Sequence, residues 1–243
     1  MFENTTMLIT GGSRGIGAST AVLAAERGAK VFINYRSNHE AADAVVDACR
    51  SVGGRAEALA GDIRLESDVL AMFAACTKHF GPPTTLVNNA GILHRLDRVE
   101  NYTAERLHEV VNVNIVGAFL CVREAVKAMS TKHGGSGGTI VNVSSAAAYL
   151  GSPNEYVDYA ASKAALDTLT RGLALECVNE GVRVVGVRPG IIDTDIHASG
   201  GQPDRAARIG PNVPMGRAGR RSGEHTSELQ SHRELVCRPL LEK

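Results

Sequence analysis

"TMLITGGSRGIG", residues 6–17, runs from a short apolar and β-branched stretch through a glycine-rich turn into a helical pattern. Gly11, Gly15 and Gly17 let the backbone turn tightly and approach a pyrophosphate at the helix N-terminus, where free amides and the helix dipole favour an anion. The spacing is G-x-x-x-G-x-G, not the commoner G-x-G-x-x-G, and any tight turn needs glycine. What makes this one a dinucleotide site is its place between a strand and a helix.

Outward from that turn the alternation continues. "KVFINY", "RAEALAGD", "TTLVNNAG", "GTIVNVSS" and "GVRVVGVRPG" read as strands. "SDVLAMFAACTKHF" and "ERLHEVVNVNIVGAFLCVREAVKAM" carry apolar residues at helical spacing. Gly28 and Gly181 sit where helix C-caps are expected, each just before a strand. Strand–helix alternation with short connections predicts an α/β fold, a single doubly wound parallel sheet with helices on both faces. Ligands of such sheets bind beyond the carboxyl ends of the strands, where the strand order reverses.

Composition narrows the function. The chain has 243 residues, 44% hydrophobic and 21% charged, an ordinary globular balance. Its formal net charge of zero offers no broad field for nucleic acid or an anionic membrane. No apolar run approaches the roughly 20 residues that span a bilayer, and the N-terminus shows no secretory pattern. Cys49, Cys76, Cys121, Cys177 and Cys237 form no C-x-x-C pair, so they read as reduced, mostly buried thiols of a cytoplasmic protein, without a metal site.

The end of the second strand bears on the cofactor. An NAD site usually places a carboxylate there for the ribose 2′-hydroxyl. This chain has Asn34, Tyr35, Arg36 and Ser37, and no acid before Glu40. Arg36, with Arg14 of the glycine turn, would pair with a 2′-phosphate, which favours NADP(H).

Downstream, "GSPNEYVDYAASKAAL", residues 151–166, holds two tyrosines before a lysine. Tyr159 and Lys163 are four apart and share one helix face, about 6 Å from each other. Tyr156 is seven from Lys163, roughly 10 Å along a helix, and Pro153 suggests that the helix only starts near there. A phenol has a pKa near 10, and a lysine cation within reach lowers it toward useful acid/base chemistry. Only Tyr159 has that partner. Ser144 and Ser145 end a strand run, where a hydroxyl could hydrogen-bond a substrate carbonyl, and Asn114 lies in mid-helix, unfavourable unless its side chain has a partner.

Together "TGGSRGIG", "NNAG", "VNVNIVG", "IVNVSS", "YAASK" and "RPGIIDT" resemble the short-chain dehydrogenase/reductase family, in order and at family spacing, over residues from about 5 to about 220. The resemblance implies hydride transfer between a nicotinamide cofactor and a carbonyl or alcohol. It assigns Tyr159 as acid/base and Lys163 as its pKa-lowering partner and ribose ligand. Ser145 would orient the carbonyl, and Asn114 would hold a water in a proton relay. It implies cofactor contacts at Gly11, Ser13, Arg14, Gly15, Ile16, Gly17, Asn34, Tyr35, Arg36, Asp62, Ile63, Asn89, Ala90, Gly91, Pro189, Ile192 and Thr194, besides Tyr159 and Lys163. Ser145 stands fourteen residues before Tyr159, one more than in many members, which implies an extra residue in the loop over the substrate. The chain looks closest to bacterial 3-oxoacyl-carrier-protein reductase-like and glucose 1-dehydrogenase-like members. A sugar dehydrogenase and a non-catalytic NADP-binding sensor are the rival readings, although a sensor typically loses the tyrosine or lysine. Asp193 to Met215 is expected to be a polar lid, with His197, like His94, more safely solvent-exposed than substrate-touching. Family members are commonly dimers or tetramers through long helices, here about 103–132 and 155–179.

The tail is different. Residues 221–243, "RSGEHTSELQSHRELVCRPLLEK", show no strand run and little periodicity. They resemble a sequencing-adapter oligonucleotide translated in one frame, nearly "RSEEHTSELQSH", with Gly223 the single mismatch. The domain is therefore expected to be residues 1–220, with a non-native tail and the family's final strand missing.

Overall fold

The computed structural model describes residues 2–222. Six parallel strands form the central sheet: β1 (Thr6–Ile9), β2 (Lys30–Tyr35), β3 (Arg55–Ala60), β4 (Thr85–Asn88), β5 (Gly138–Val143) and β6 (Val182–Val187). Their order is β3-β2-β1-β4-β5-β6, so the sequence of strands reverses between β1 and β4. The doubly wound expectation is met. The expected absence of a final strand, like the tail itself, concerns residues outside those described, save Arg221 and Ser222.

Alternation along each strand supplies both faces. Met7 and Ile9 of β1, with Val31 and Ile33 of β2, bury against Ala21, Ala24 and Ala25 of α1 (Gly15–Glu26) and Val46 and Cys49 of α2 (His39–Ser51). Leu8, Phe32, Leu86 and Ile140 point the other way. They meet Met72 and Cys76 of α3 (Glu66–Phe80), and Cys121, Val122 and Met129 of a long helical run, with Cys177 beside β6 in the same layer. Period-two burial on both sides is the signature of a parallel sheet covered by helices.

That helical run departs from the single long helix its periodicity predicts. It consists of α4 (Ala104–Val111), a π-turn (Asn112–Gly117) and α5 (Ala118–Met129). The wide turn falls where Asn114 is drawn sideways by hydrogen bonds to Ile92 and Ser162. It also falls where Gly117 admits Ile63, since a Cβ there would meet the Ile63 side chain at 2.8 Å.

After β5 come α6 (Ala147–Leu150) and α7 (Val157–Glu176). Ser152 and Asn154 between them have φ of +44° and +61°, left-handed backbone that no helix can include. So α7 begins only at Val157, later than Pro153 suggests. The expected polar lid is not structureless. It folds into α8 (Ile196–Ser199) and α9 (Arg205–Ile209), and a strand pair, β7 (Ile192–Asp193) with β8 (Gly219–Arg220), closes its two ends.

Candidate active site

At the point of reversal the chain leaves β1 and β4 in opposite directions, and a 1020 Å³ cavity opens between the two exits. Every residue expected at the site lines it except Gly17 and Asn114.

The glycine turn is fastened from below. Asn89 Nδ2 donates to the carbonyls of Thr10 (2.9 Å) and Gly11 (3.0 Å), and Thr10 Oγ1 accepts from the amides of Asn89 and Ala90, both at 3.0 Å. Gly15 has a φ of +57°, suited to glycine, and brings α1's first amides to the cavity. Gly17 contributes room: a Cβ there would stand 2.6 Å from Asn89 Nδ2 and 2.7 Å from the Gly11 carbonyl. Gly17→Ala is therefore expected to push the turn away from β4. It should cost about 1–3 kcal/mol of stability and weaken NADPH binding at least about tenfold, equivalent to roughly 1.4 kcal/mol, as a melt and a fluorescence titration would read. Binding as tight as wild type would contradict it.

At the far end of β2 the cavity is bounded by Asn34, Tyr35, Arg36, Ser37 and Asn38. Asn34 is buried and spends its amide on the Gly61 carbonyl at 3.0 Å, so it holds β2 to the turn after β3 and does not offer its side chain to a ligand. Arg36 is exposed, 3.6 Å from Asp62. Hydrogen bonds from Arg64, at 2.5–3.0 Å, hold the Asp62 carboxyl below the usual carboxylate range. Arg14, exposed at the head of α1, has no acidic partner among the described residues. Asn38, which caps α2 by accepting from the Ala41 amide, was overlooked by the site reading, although asparagine before a helical run is itself a start signal.

At the opposite end, the carboxyl edge of β5 brings Ser145, Tyr159 and Lys163 together. The two serines separate clearly: Ser144 Oγ is buried and donates to the Lys163 carbonyl, whereas Ser145 hydrogen-bonds the Tyr159 phenol and accepts from the Ala147 amide. Tyr159 and Lys163 share a face of α7, with Nζ 5.6 Å from the ring centroid. Nζ donates to the Val143 carbonyl at 2.8 Å. Burial pushes the phenol up to about 12, opposed by the Ser145 hydrogen bond. This differs from the expected lowering: desolvation dominates when the ammonium is turned to a carbonyl. Burial also brings Lys163 down to about 8.

Asn114 lies beneath this corner, fully engaged. Its Oδ1 accepts from the Ile92 amide at 2.8 Å, and its Nδ2 donates to the Ile92 carbonyl and Ser162 Oγ, both at 3.0 Å. Its side chain thus positions the wall behind the site. Tyr156 also lines the cavity, but its hydroxyl reaches only the Gly200 carbonyl, at 3.5 Å. From the lid, Arg205 forks onto Glu155 at 2.9 and 2.6 Å. His197 corrects its expectation: it is 8% exposed and lines the cavity, with Nε2 on the Ile192 carbonyl and Nδ1 unpartnered. His94 is partly exposed and faces Glu109 at 2.9 Å.

Known proteins are similar to this chain in sequence and in fold. Residues 5–204 match the family described as short chain dehydrogenase. An uncharacterized oxidoreductase of Escherichia coli (strain K12), YgfF, is 56% identical over 212 residues, covering 87% of this chain and 86% of the relative. A Burkholderia cenocepacia J2315 short chain dehydrogenase solved in complex with NADP superposes with a TM-score of 0.81 at 32% identity, over 91% of this chain and 87% of that one. The Brucella melitensis 3-ketoacyl-(acyl-carrier-protein) reductase complexed with NADH gives 0.82 at 31% identity, over 91% and 88%. A reversing parallel sheet, a glycine turn fastened to the strand beside it and relatives matched over most of their length lead to one assignment: this chain is an oxidoreductase of the short-chain dehydrogenase family.

Proposed function

We propose that the protein uses NADP(H) to interconvert a small-molecule carbonyl and alcohol, with Tyr159 as acid/base. The observation that carries this reading is the corner of the cavity where half-buried Ser145 and Tyr159 stand beside the buried Lys163 ammonium.

The residues present fit a nicotinamide dinucleotide. A Cβ on Gly11 would lie 2.9 Å from Ala90 Cα, so a backbone-only surface faces the cavity at the head of α1. Bound there, the cofactor supplies or accepts a hydride. In the reducing direction Ser145 donates to the carbonyl oxygen and holds it near the phenol. Tyr159 gives its proton to that oxygen as the carbon receives the hydride. The phenolate left behind faces Lys163, whose charge offsets it, so the acid needs no low pKa in the resting protein. Asn114 acts through Ile92 and Ser162, keeping α7 against the loop after β4.

Arg14 and Arg36 support NADP(H) over NAD(H), because the residues ending β2 offer no carboxylate and two guanidiniums border that end of the cavity. Removing both, as Arg14→Ala/Arg36→Ala, is expected to raise the Kd for NADPH about 10–100-fold, the worth of charge-assisted hydrogen bonds. The Kd for NADH should stay within about threefold. Equal losses for both cofactors would refute the assignment. Relative rates on an acetoacetyl thioester with NADPH and on glucose with NADP⁺ would separate a reductase from a sugar dehydrogenase.

No helix of the described residues is long and apolar enough to cross a membrane. We place the protein in the cytoplasm. Exposed Leu107, Val111 and Phe119 along the α4–α5 run support a homo-oligomer, dimer or tetramer. We also infer that the domain is residues 1–220, followed by a non-native tail; rereading the 3′ end of the gene from source DNA, without ligated adapters, tests it.

A further inference from the structure

A set of contacts outside the catalytic corner leads to the backbone of Tyr159. Asp158, the residue before it, is buried, with its side chain 3% exposed, and both its carboxylate oxygens are held by Arg106 of α4 (Nε–Oδ2 2.7 Å, Nη2–Oδ1 3.1 Å). Oδ1 also accepts the backbone amide of Tyr159 at 2.9 Å. The same guanidinium uses Nη1 to donate to the Arg95 carbonyl at 2.7 Å, on the loop whose earlier residues line the cavity. Its face stacks on Tyr102 at 3.7 Å, and the Tyr102 hydroxyl accepts the amide of Val157, the first residue of α7, at 3.1 Å.

We propose that Arg106 and Asp158 are positioning residues for the acid/base: one guanidinium ties the first turn of α7 to the loop after β4 and so sets the phenol's height against the cavity. This rests on Tyr159 being the acid/base. A buried ion pair is weak grounds for stability, because desolvation offsets most of its attraction. A planar fork that engages a carboxylate, a carbonyl and a ring together is better suited to fixing geometry. Displacing a reacting group by about 1 Å can cost about 100-fold in rate.

The test compares Asp158→Asn, Arg106→Met and the double variant. Turnover is measured with whichever pair wild type accepts, an acetoacetyl thioester and NADPH or glucose and NADP⁺, alongside Tm and the Kd for NADPH. Both single variants are expected to lose about 10–100-fold in kcat, with the NADPH Kd within about twofold of wild type. The double variant, which leaves no uncompensated buried charge, should recover Tm but not kcat. Recovery of kcat together with Tm, or single variants as fast as wild type, would overturn the proposal and leave the pair structural. If these variants do not fold, Tyr102→Phe decides: it keeps the ring under Arg106 but removes the acceptor for Val157, with two long hydrogen bonds to the Asp97 and Glu155 carbonyls at 3.4 and 3.5 Å, and reduced kcat at unchanged NADPH affinity supports the proposal while unchanged kcat overturns it. Tyr159→Phe runs beside them. If that change leaves turnover intact, the acid/base reading itself has failed; if it abolishes turnover while the pair does not matter, only the positioning role falls.

Discussion

A Tyr159→Phe protein is expected to turn over about 10²–10⁴-fold more slowly than wild type while still binding NADPH. The substitution isolates the chemistry because almost everything else Tyr159 does is done by its backbone: its amide donates to Asp158 and its carbonyl accepts from Ser162. Its ring keeps the same volume. The one partner of the lost hydroxyl, Ser145, still has the Ala147 amide. Tm should therefore stay within a few degrees, less than about 1 kcal/mol at typical unfolding entropies. Turnover, Tm and NADPH titration on one preparation check it. Undiminished turnover would exclude Tyr159 as the proton donor.

Lys163→Met is expected to abolish turnover to a similar degree and also to change how stability responds to pH. The lysine is 4% exposed, and burial, the dominant cause, brings it from 10.5 to about 8. Between about 8 and 10.5 the unfolded chain binds more protons at Lys163 than the folded one, so this residue's contribution to stability rises with pH across that window and is flat on either side. The rise is about 3 kcal/mol at 1.36 kcal/mol per unit. Tyr159 works in the opposite sense: raised from 10 to about 12, it keeps its proton longest in the folded state, so it lowers stability as pH climbs between those values, and the buried thiols of Cys49, Cys76 and Cys121, raised from 9, do the same from about pH 9. In the methionine variant the rise between about pH 8 and 9 should vanish and the fall above about pH 9 remain. Denaturant midpoints of the ligand-free protein at half-unit pH steps provide the measurement. A rise that survives the substitution would show that Lys163 is not the group responsible.

How much of this could be read in the chain depended on how local the cause was. The strands and the glycine turn were legible because period-two burial and a glycine spacing are written into consecutive residues. Tyr159 and Lys163 were legible because four residues is one helical turn, and the structure brings Ser145 and Tyr159 into hydrogen-bond contact across the inserted loop. What could not be read came from contacts distant in sequence. The π-turn depends on Ile63 and Ile92 reaching Gly117 and Asn114. His197 is buried because the lid folds back over the cavity, and one histidine in a polar stretch carries no sign of that. Asp158 looked like any acid in a helix's first turn, where the dipole alone would favour it. Its partner lies 52 residues earlier.

The four cysteines within the described residues have a consequence unrelated to catalysis. Cys49 is sealed under one face of the sheet, and Cys76, Cys121 and Cys177 under the other. Burial pushes Cys49 up to about 11 and Cys76 and Cys121 up to about 12, so at neutral pH their reactive thiolate is scarcely populated. Alkylating reagents and oxidants reach them only while a helix has lifted away, which makes each thiol a clock for the opening of its own layer. Oxidative damage here is thus gated by breathing of the fold, and the rates at Cys49 and at the other three report on its two sides separately.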